Sequence, residues 1–173
     1  MEFKEKAKRV KLLLCDVDGV LTDGSIILDE KGRELKRFNV KDGHGIKLLQ
    51  RMGIEVGFIS GRFSEATLKR AEELSVSKVY VGVKNKLSIL DRILDDLGVS
   101  LDEVAYIGDD LVDIPIMKRV GFPIAVSDSV DEVKEIAAYI TKSEGGKGAV
   151  REVAEIILKS KGLWEEVLKR YFY

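Results

Sequence analysis

The acidic residues best placed to do chemistry form two tight groups, Asp16-Val17-Asp18-Gly19 and Gly108-Asp109-Asp110 with Asp113 close behind. Crowded carboxylates repel one another unless a cation sits among them, and hard oxygen donors suit Mg²⁺. Ser60-Gly61-Arg62 and Lys84-Asn85-Lys86 add a hydroxyl and amines, each just beyond a short β-rich run. Together Mg²⁺, a lysine, a hydroxyl and free amides neutralise a phosphoryl group as charge moves onto its oxygens. A carboxylate can attack phosphorus itself, giving an aspartyl phosphate. A second can protonate the departing alkoxide and then take a proton from water. Asp-x-Asp supplies both acids. Turn formation alone explains a single Asp-Gly pair, but two acidic clusters with a hydroxyl and a lysine point to a reaction centre.

These groups need a frame that brings distant segments together. Residues 10–15, 54–60, 78–81, 104–107 and 122–126 read as strands. They alternate with expected helices at 45–52, 63–74, 86–97, 114–120, 130–138, 149–160 and 163–173. The clearest helix carries Leu87, Leu90, Ile93, Leu94 and Leu97 on one stripe and stops at Gly98. Such alternation implies right-handed crossovers and a parallel sheet covered on both faces, a doubly wound, Rossmann-like α/β fold. Ligands then bind outside the carboxyl ends of the strands, which is where the acids, Ser60 and Lys86 fall. Residues 25–28 and 34–39 flank a Gly-containing turn and read as a β-hairpin flap over about 25–39. No linker or repeat divides the chain, so residues 1–173 are expected to form one domain with a terminal helix at about 163–173.

Composition narrows the function classes. With 29 Lys+Arg against 30 Asp+Glu the formal net charge is −1, which leaves no basic field for a nucleic acid. Cys15 is the single cysteine and His44 the single histidine, excluding a cysteine zinc cage and a histidine metal cluster. The first apolar run stops at Asp16, too short for a secretory signal, and no run is long enough to span a bilayer. A cytoplasmic protein with no membrane partner is expected.

Asp16-Val17-Asp18-Gly19-Val20-Leu21-Thr22 resembles the first motif of the haloacid dehalogenase superfamily of phosphohydrolases. Ser60 matches its second motif, Lys86 its third, and Gly108-Asp109-Asp110 with Asp113 its fourth. The short hairpin in place of a large cap is similar to that of the 3-deoxy-D-manno-octulosonate 8-phosphate phosphatases, a capless subclass. So are Phe38-Asn39-Val40-Lys41-Asp42-Gly43, Ile59-Ser60-Gly61-Arg62 and Gly145-Gly146-Lys147-Gly148-Ala149-Val150-Arg151-Glu152. Those enzymes remove phosphate from an eight-carbon keto sugar acid on the way to lipopolysaccharide.

The resemblance implies Asp16 as nucleophile and Asp18 as general acid and base. It implies Mg²⁺ on Asp16, the Asp18 main-chain carbonyl and Asp109, with Asp110 or Asp113 behind. Ser60 would hydrogen-bond a phosphoryl oxygen and Lys86 offset its charge. Asp18, Asn39, Val40, Lys41, Asp42 and Gly43, with Arg62, Arg70 and Lys86, would bind substrate. Lys41 and Lys47 stand where relatives often carry arginine, which keeps the charge and loses the bidentate fork. Hairpins of neighbouring subunits would close each site in a homotetramer. Two alternatives remain open: a nine-carbon, sialic-acid-like keto acid phosphate as substrate, and a non-enzymatic phospho-receiver domain. The latter should place its acidic pair before the phosphorylated Asp and its lysine last, an order not found here.

Four features are read more plainly. Cys15 is expected to be a buried structural thiol. His44 is expected to cap a helix or edge the substrate. Gly145-Gly146-Lys147-Gly148 lacks nucleotide P-loop spacing and is expected to be a lid or a subunit contact. Trp164, Tyr171, Phe172 and Tyr173 are equally suited to core and to an oligomer interface.

Overall fold

The computed structural model describes residues 2–173. Its strands are β1 (Leu12–Cys15), β2 (Ile27–Leu28), β3 (Glu34–Leu35), β4 (Glu55–Ile59), β5 (Lys78–Tyr80), β6 (Val104–Gly108), β7 (Phe122–Ala125) and β8 (Tyr139–Ile140). Its helices are α1 (Glu2–Arg9), α2 (Val40–Arg51), α3 (Glu65–Leu74), α4 (Lys86–Leu97), α5 (Ile114–Met117), α6 (Asp131–Ile136), α7 (Ala149–Ser160) and α8 (Trp164–Phe172). Six strands form a parallel sheet in the order β5-β4-β1-β6-β7-β8, while β2 and β3 make a separate antiparallel pair.

The doubly wound sheet is therefore present as expected, with β1 between β4 and β6. All four residues of β1 are buried, the mark of a central strand covered on both sides. Leu13 and Cys15 pack with Ala7, Ile46, Leu49, Val153 and Ile157, so α1, α2 and α7 cover one face. Leu12 and Leu14 pack with Leu90, Ile93, Ile116 and Val133, so α4, α5 and α6 cover the other. Burying each such aliphatic side chain contributes about 1.5–3 kcal/mol. The chain leaves β1 for β4 and β5, then returns to the opposite side at β6. That reversal opens a crevice beyond the ends of β1 and β6.

Several expectations are corrected. Helix α2 begins at Val40 rather than at 45, because Asn39 caps it, accepting from the Lys41 and Asp42 amides at 2.8 and 3.4 Å. Gly45, the first residue of the expected helix, lies well inside α2: a Cβ there would lie 3.0 Å from Arg151 Cα, so glycine permits the close packing of α2 on α7. The charged N-terminal stretch forms α1, which buries Ala7 completely. Two residues at Tyr139–Ile140 add an edge strand that the sequence did not announce. The fourth expected helix ends at Met117. Flap pairing shrinks to Ile27 with Leu35 and Leu28 with Glu34. Among the described residues no helix is long and apolar enough to cross a membrane.

Candidate active site

Strand β1 delivers Asp16 and β6 delivers Asp109, and because the two strands are neighbours their following loops converge. One carboxylate oxygen each from Asp16, Asp109 and Asp113 lies within 4.8 Å of the others. Gly19 makes this approach feasible: at φ +88° it turns the chain, and a Cβ there would sit 1.9 Å from Asp109 Oδ2. Ser60 directly follows β4, is 1% exposed, and its Oγ accepts from the Arg62 amide at 3.3 Å. Lys86 opens α4 from the next strand over, following the Asn85 cap.

Lys86 is the hub. Its Nζ donates to Asp16 Oδ1 at 2.7 Å, Asp113 Oδ1 at 2.6 Å and the Tyr106 hydroxyl at 3.0 Å. Burial opposes the ammonium, but Asp16 and Asp113 outweigh it and hold its pKa above the ordinary lysine value. Asp113 is fully buried and accepts from the Tyr106 hydroxyl at 2.6 Å as well. Its Oδ2 takes the Asp109 and Asp110 amides at 2.9 and 3.3 Å. Both Asp113 oxygens are thus engaged by protein donors.

Asp16 and Asp109 differ from it. Burial, then repulsion from Asp113, pushes the Asp16 carboxyl up against the pull of Lys86. Burial, then repulsion from Asp16, pushes Asp109 up as well. Both carboxyls are pushed up by burial first and by neighbouring carboxylates second, and a divalent cation among them would offset that crowded charge. This donor set, all hard oxygen, fits Mg²⁺.

The cleft above these groups measures about 270 Å³ and is lined by Asp16, Asp18, Arg62, Lys86, Asp109 and Asp110. Asp18 accepts from Lys36 of the flap, and Arg62 reaches Glu34 of the flap at 2.5 Å. Asp110 caps the turn at Leu111–Asp113, its Oδ1 accepting from the Leu111 amide at 2.7 Å. Larger hollows run along α8, one of about 370 Å³ beside Leu48, Met52 and Val167, distant from this chemistry.

The segment 39–43 does not line this cleft. Asn39 borders a separate hollow of about 230 Å³ with Arg37, Phe38 and Gly146. Val40 is 79% exposed and Lys41 is exposed. Asp42 is 1% exposed, and its Oδ1 accepts from the Arg151 amide at 2.9 Å, capping the first turn of α7. Burial pushes its carboxyl up. Arg70 packs against Gly43, where a Cβ would lie 2.4 Å from Nη2, and its guanidinium sits 5.8 Å from the Phe38 ring centroid. Lys47 donates to Ser75 Oγ at 3.0 Å.

Other expectations resolve in structural terms. Cys15 is a buried free thiol whose pKa burial raises far above normal. His44 lies inside α2, where Nε2 meets the Tyr171 hydroxyl at 2.8 Å and Nδ1 meets Arg151 Nη1 at 3.1 Å. It pins α8 rather than capping α2. Of the terminal aromatics, Trp164 packs on the core while Phe172 and Tyr173 are exposed. Gly145-Gly146 packs on its own chain rather than standing free as a lid. A Cβ on Gly145 would lie 1.8 Å from Gly19 O, and the Gly146 amide donates to Val20 O at 2.9 Å. Sequence reading missed Tyr106, Glu34 and Lys36. Tyr106 shares a sheet face with Leu12 and Leu14, which disguised it as core.

Residues 83–153 match the haloacid dehalogenase-like hydrolases. The chain is 42% identical over 161 residues to 3-deoxy-D-manno-octulosonate 8-phosphate phosphatase of Escherichia coli strain K12, covering 93% of this chain and 86% of that protein. It is 44% identical over 154 residues to the enzyme of that name from Yersinia pestis, covering 89% and 82%. Among solved structures, the Moraxella catarrhalis phosphatase of that name, in complex with magnesium ion, phosphate ion and a KDO molecule, superposes with a TM-score of 0.96. It is 40% identical, with 98% of each chain covered.

Proposed function

The chain belongs to the 3-deoxy-D-manno-octulosonate 8-phosphate phosphatase family of haloacid dehalogenase-like hydrolases, and on that premise we propose that it hydrolyses this eight-carbon keto sugar phosphate to the free acid and phosphate. The observation that carries the reading is the meeting of Asp16 and Asp109 with the Lys86 ammonium at adjacent strand ends. The receiver-domain alternative falls to membership of a hydrolase family.

In this reading Asp16 attacks phosphorus. The ester P–O bond breaks with its electron pair on the sugar oxygen, which takes a proton from Asp18. Water then attacks the aspartyl phosphate, giving its proton to Asp18 as the bond to Asp16 breaks and phosphate leaves. Ser60 donates to a phosphoryl oxygen, and Lys86 offsets charge there while fixing Asp16. Asp16, Asp109 and the Asp18 carbonyl would hold Mg²⁺, which when bound offsets negative charge on the phosphoryl oxygens. Arg62, which lines the cleft, would meet the substrate carboxylate; Asn39, Val40 and Lys41 would offer the neighbouring surface, with Asp42, Gly43 and Arg70 supporting it from beneath.

Phosphate release from eight- and nine-carbon keto acid phosphates tests the substrate. The eight-carbon ester should show a kcat/KM at least about tenfold higher; a preference for the nine-carbon ester would move the assignment to that acid. Chelating divalent metal should stop turnover in the same assay and added Mg²⁺ restore it. Turnover indifferent to chelator would contradict the metal site.

The flap leaves Ile26, Leu28 and Leu35 exposed at 62%, 59% and 55%, an apolar surface that favours burial against other copies. This supports a homotetramer in which flaps close the clefts. Sedimentation should find a species of about four chains carrying the activity, and a fully active monomer would overturn the assembly. We place the enzyme in the cytoplasm, a setting that suits a single buried thiol with no disulfide.

A further inference from the structure

A charged side chain with no part in the steps above lies nearly out of water beside the cleft. Lys36, just beyond β3, has a side chain 2% exposed, and its ammonium bonds Asp18 Oδ1 and, at 2.6 Å, Glu34 Oε1. Glu34 in turn accepts from Arg62 Nη2 at 2.5 Å. Burying an ammonium costs several kcal/mol unless it is well paired, so two carboxylate partners hold this one in a defined place. The result is a line of alternating charge, Asp18, Lys36, Glu34 and Arg62. It ties the loop after β1 to the loop after β4 through the flap.

We propose that Lys36 is a positioning residue for proton transfer by Asp18. The inference rests on the reading of Asp18 as the general acid and base. A lysine ammonium has donors only, so it takes up a lone pair of Oδ1 and turns the carboxyl group so that Oδ2 is the freer site for the catalytic proton. Oδ2 is then the atom that gives its proton to the sugar oxygen as the ester P–O bond breaks. The same atom later takes a proton from the attacking water. Without Lys36 the carboxyl group can rotate about its terminal torsion, which has broad, shallow wells, and the proton is no longer presented in one direction. The flap thus takes part in catalysis within its own chain, independently of any contact between copies.

The test uses two esters that differ in their need for a proton. An alkoxide leaves poorly unless protonated, whereas a nitrophenolate leaves unaided. kcat/KM covers only the steps up to departure of the alcohol, so later action of Asp18 as a base does not enter. Lys36→Met keeps most of the buried stem and removes the donor. Its kcat/KM on the keto sugar phosphate should fall at least about thirtyfold, and its kcat/KM on nitrophenyl phosphate less than about threefold. Lys36→Ala, which also lacks a donor and leaves room for water beside Glu34, is measured alongside and should show the same ester dependence if Lys36→Met loses its thermal transition. Equal losses on both esters would reduce Lys36 to a structural role, and a raised KM with kcat intact would make it a substrate contact; either overturns the proposal. Asp18→Asn is the calibrator. If it spares nitrophenyl phosphate and Lys36→Met does not, only the positioning role fails. If Asp18→Asn treats both esters alike, the acid itself has been misassigned and the proposal falls with it.

Discussion

Asp16→Asn should lose at least about four orders of magnitude in phosphate release while the protein stays folded. Asparagine has the shape of the carboxylate but cannot form the acyl phosphate, so the covalent half of the reaction has no starting point. The main chain at this position is held independently, by the Asp16 amide donating to Ile107 O at 3.0 Å. Lys86 also keeps its bond to Asp113 at 2.6 Å. Burial and repulsion from Asp113 push Asp16 up, and Asp16 in turn pushes Asp109 up, so removing its carboxylate relieves that crowding. The thermal midpoint measured without divalent metal should therefore hold or rise. Substantial phosphate release by the variant, followed with a dye assay, would remove Asp16 as nucleophile. A collapsed midpoint would show that the carboxylate is needed for the fold.

Lys86→Met should damage both stability and turnover. Three bonds end at this ammonium, and two of its partners, Asp113 and Tyr106, are fully buried. Without it Asp113 retains the Tyr106 hydroxyl at 2.6 Å and two amides but no counter-charge. Breaking a buried pair by removing one partner costs about 3–5 kcal/mol. Denaturant titration should register that loss, and turnover should fall at least about a thousandfold as the charge facing the phosphoryl oxygens disappears. An unchanged unfolding midpoint would mean that Asp113 is satisfied by its neutral donors alone. Asp113 and Lys86 would then have to be separated in any account of the site.

Much of the arrangement could be read from residue order. In a doubly wound sheet every strand end points the same way, so Asp16, Ser60, Lys86 and Asp109 could be collected from four separate segments without coordinates. The helix at 86–97 was equally plain, since its apolar stripe, Asn85 cap and Gly98 stop agree. Harder were the places where one residue type serves two purposes. Gly43 looks like a loop residue, yet it sits inside α2 because Arg70 packs where a side chain would be. Asp42 reads as a polar group near substrate and instead caps a helix over a hundred residues away. No local pattern encodes such a partner. Tyr106 occupies an apolar strand and reveals its role only through Lys86 and Asp113. Lys36 reads as one more surface charge on a hairpin, until the fold closes the flap over Asp18.

Every reactive side chain named for this site precedes residue 114, yet the loop that presents Asp16 and Asp18 rests on Gly145 and Gly146. A growing polypeptide released from the ribosome only as far as α5 already holds its nucleophile, acid, hydroxyl and amine, but lacks the glycine floor beneath two of them. Competence must therefore switch on late in synthesis, once the stretch leading into α7 has emerged and docked. Until then the nascent enzyme has its reactive side chains but not the support beneath the loop that carries two of them.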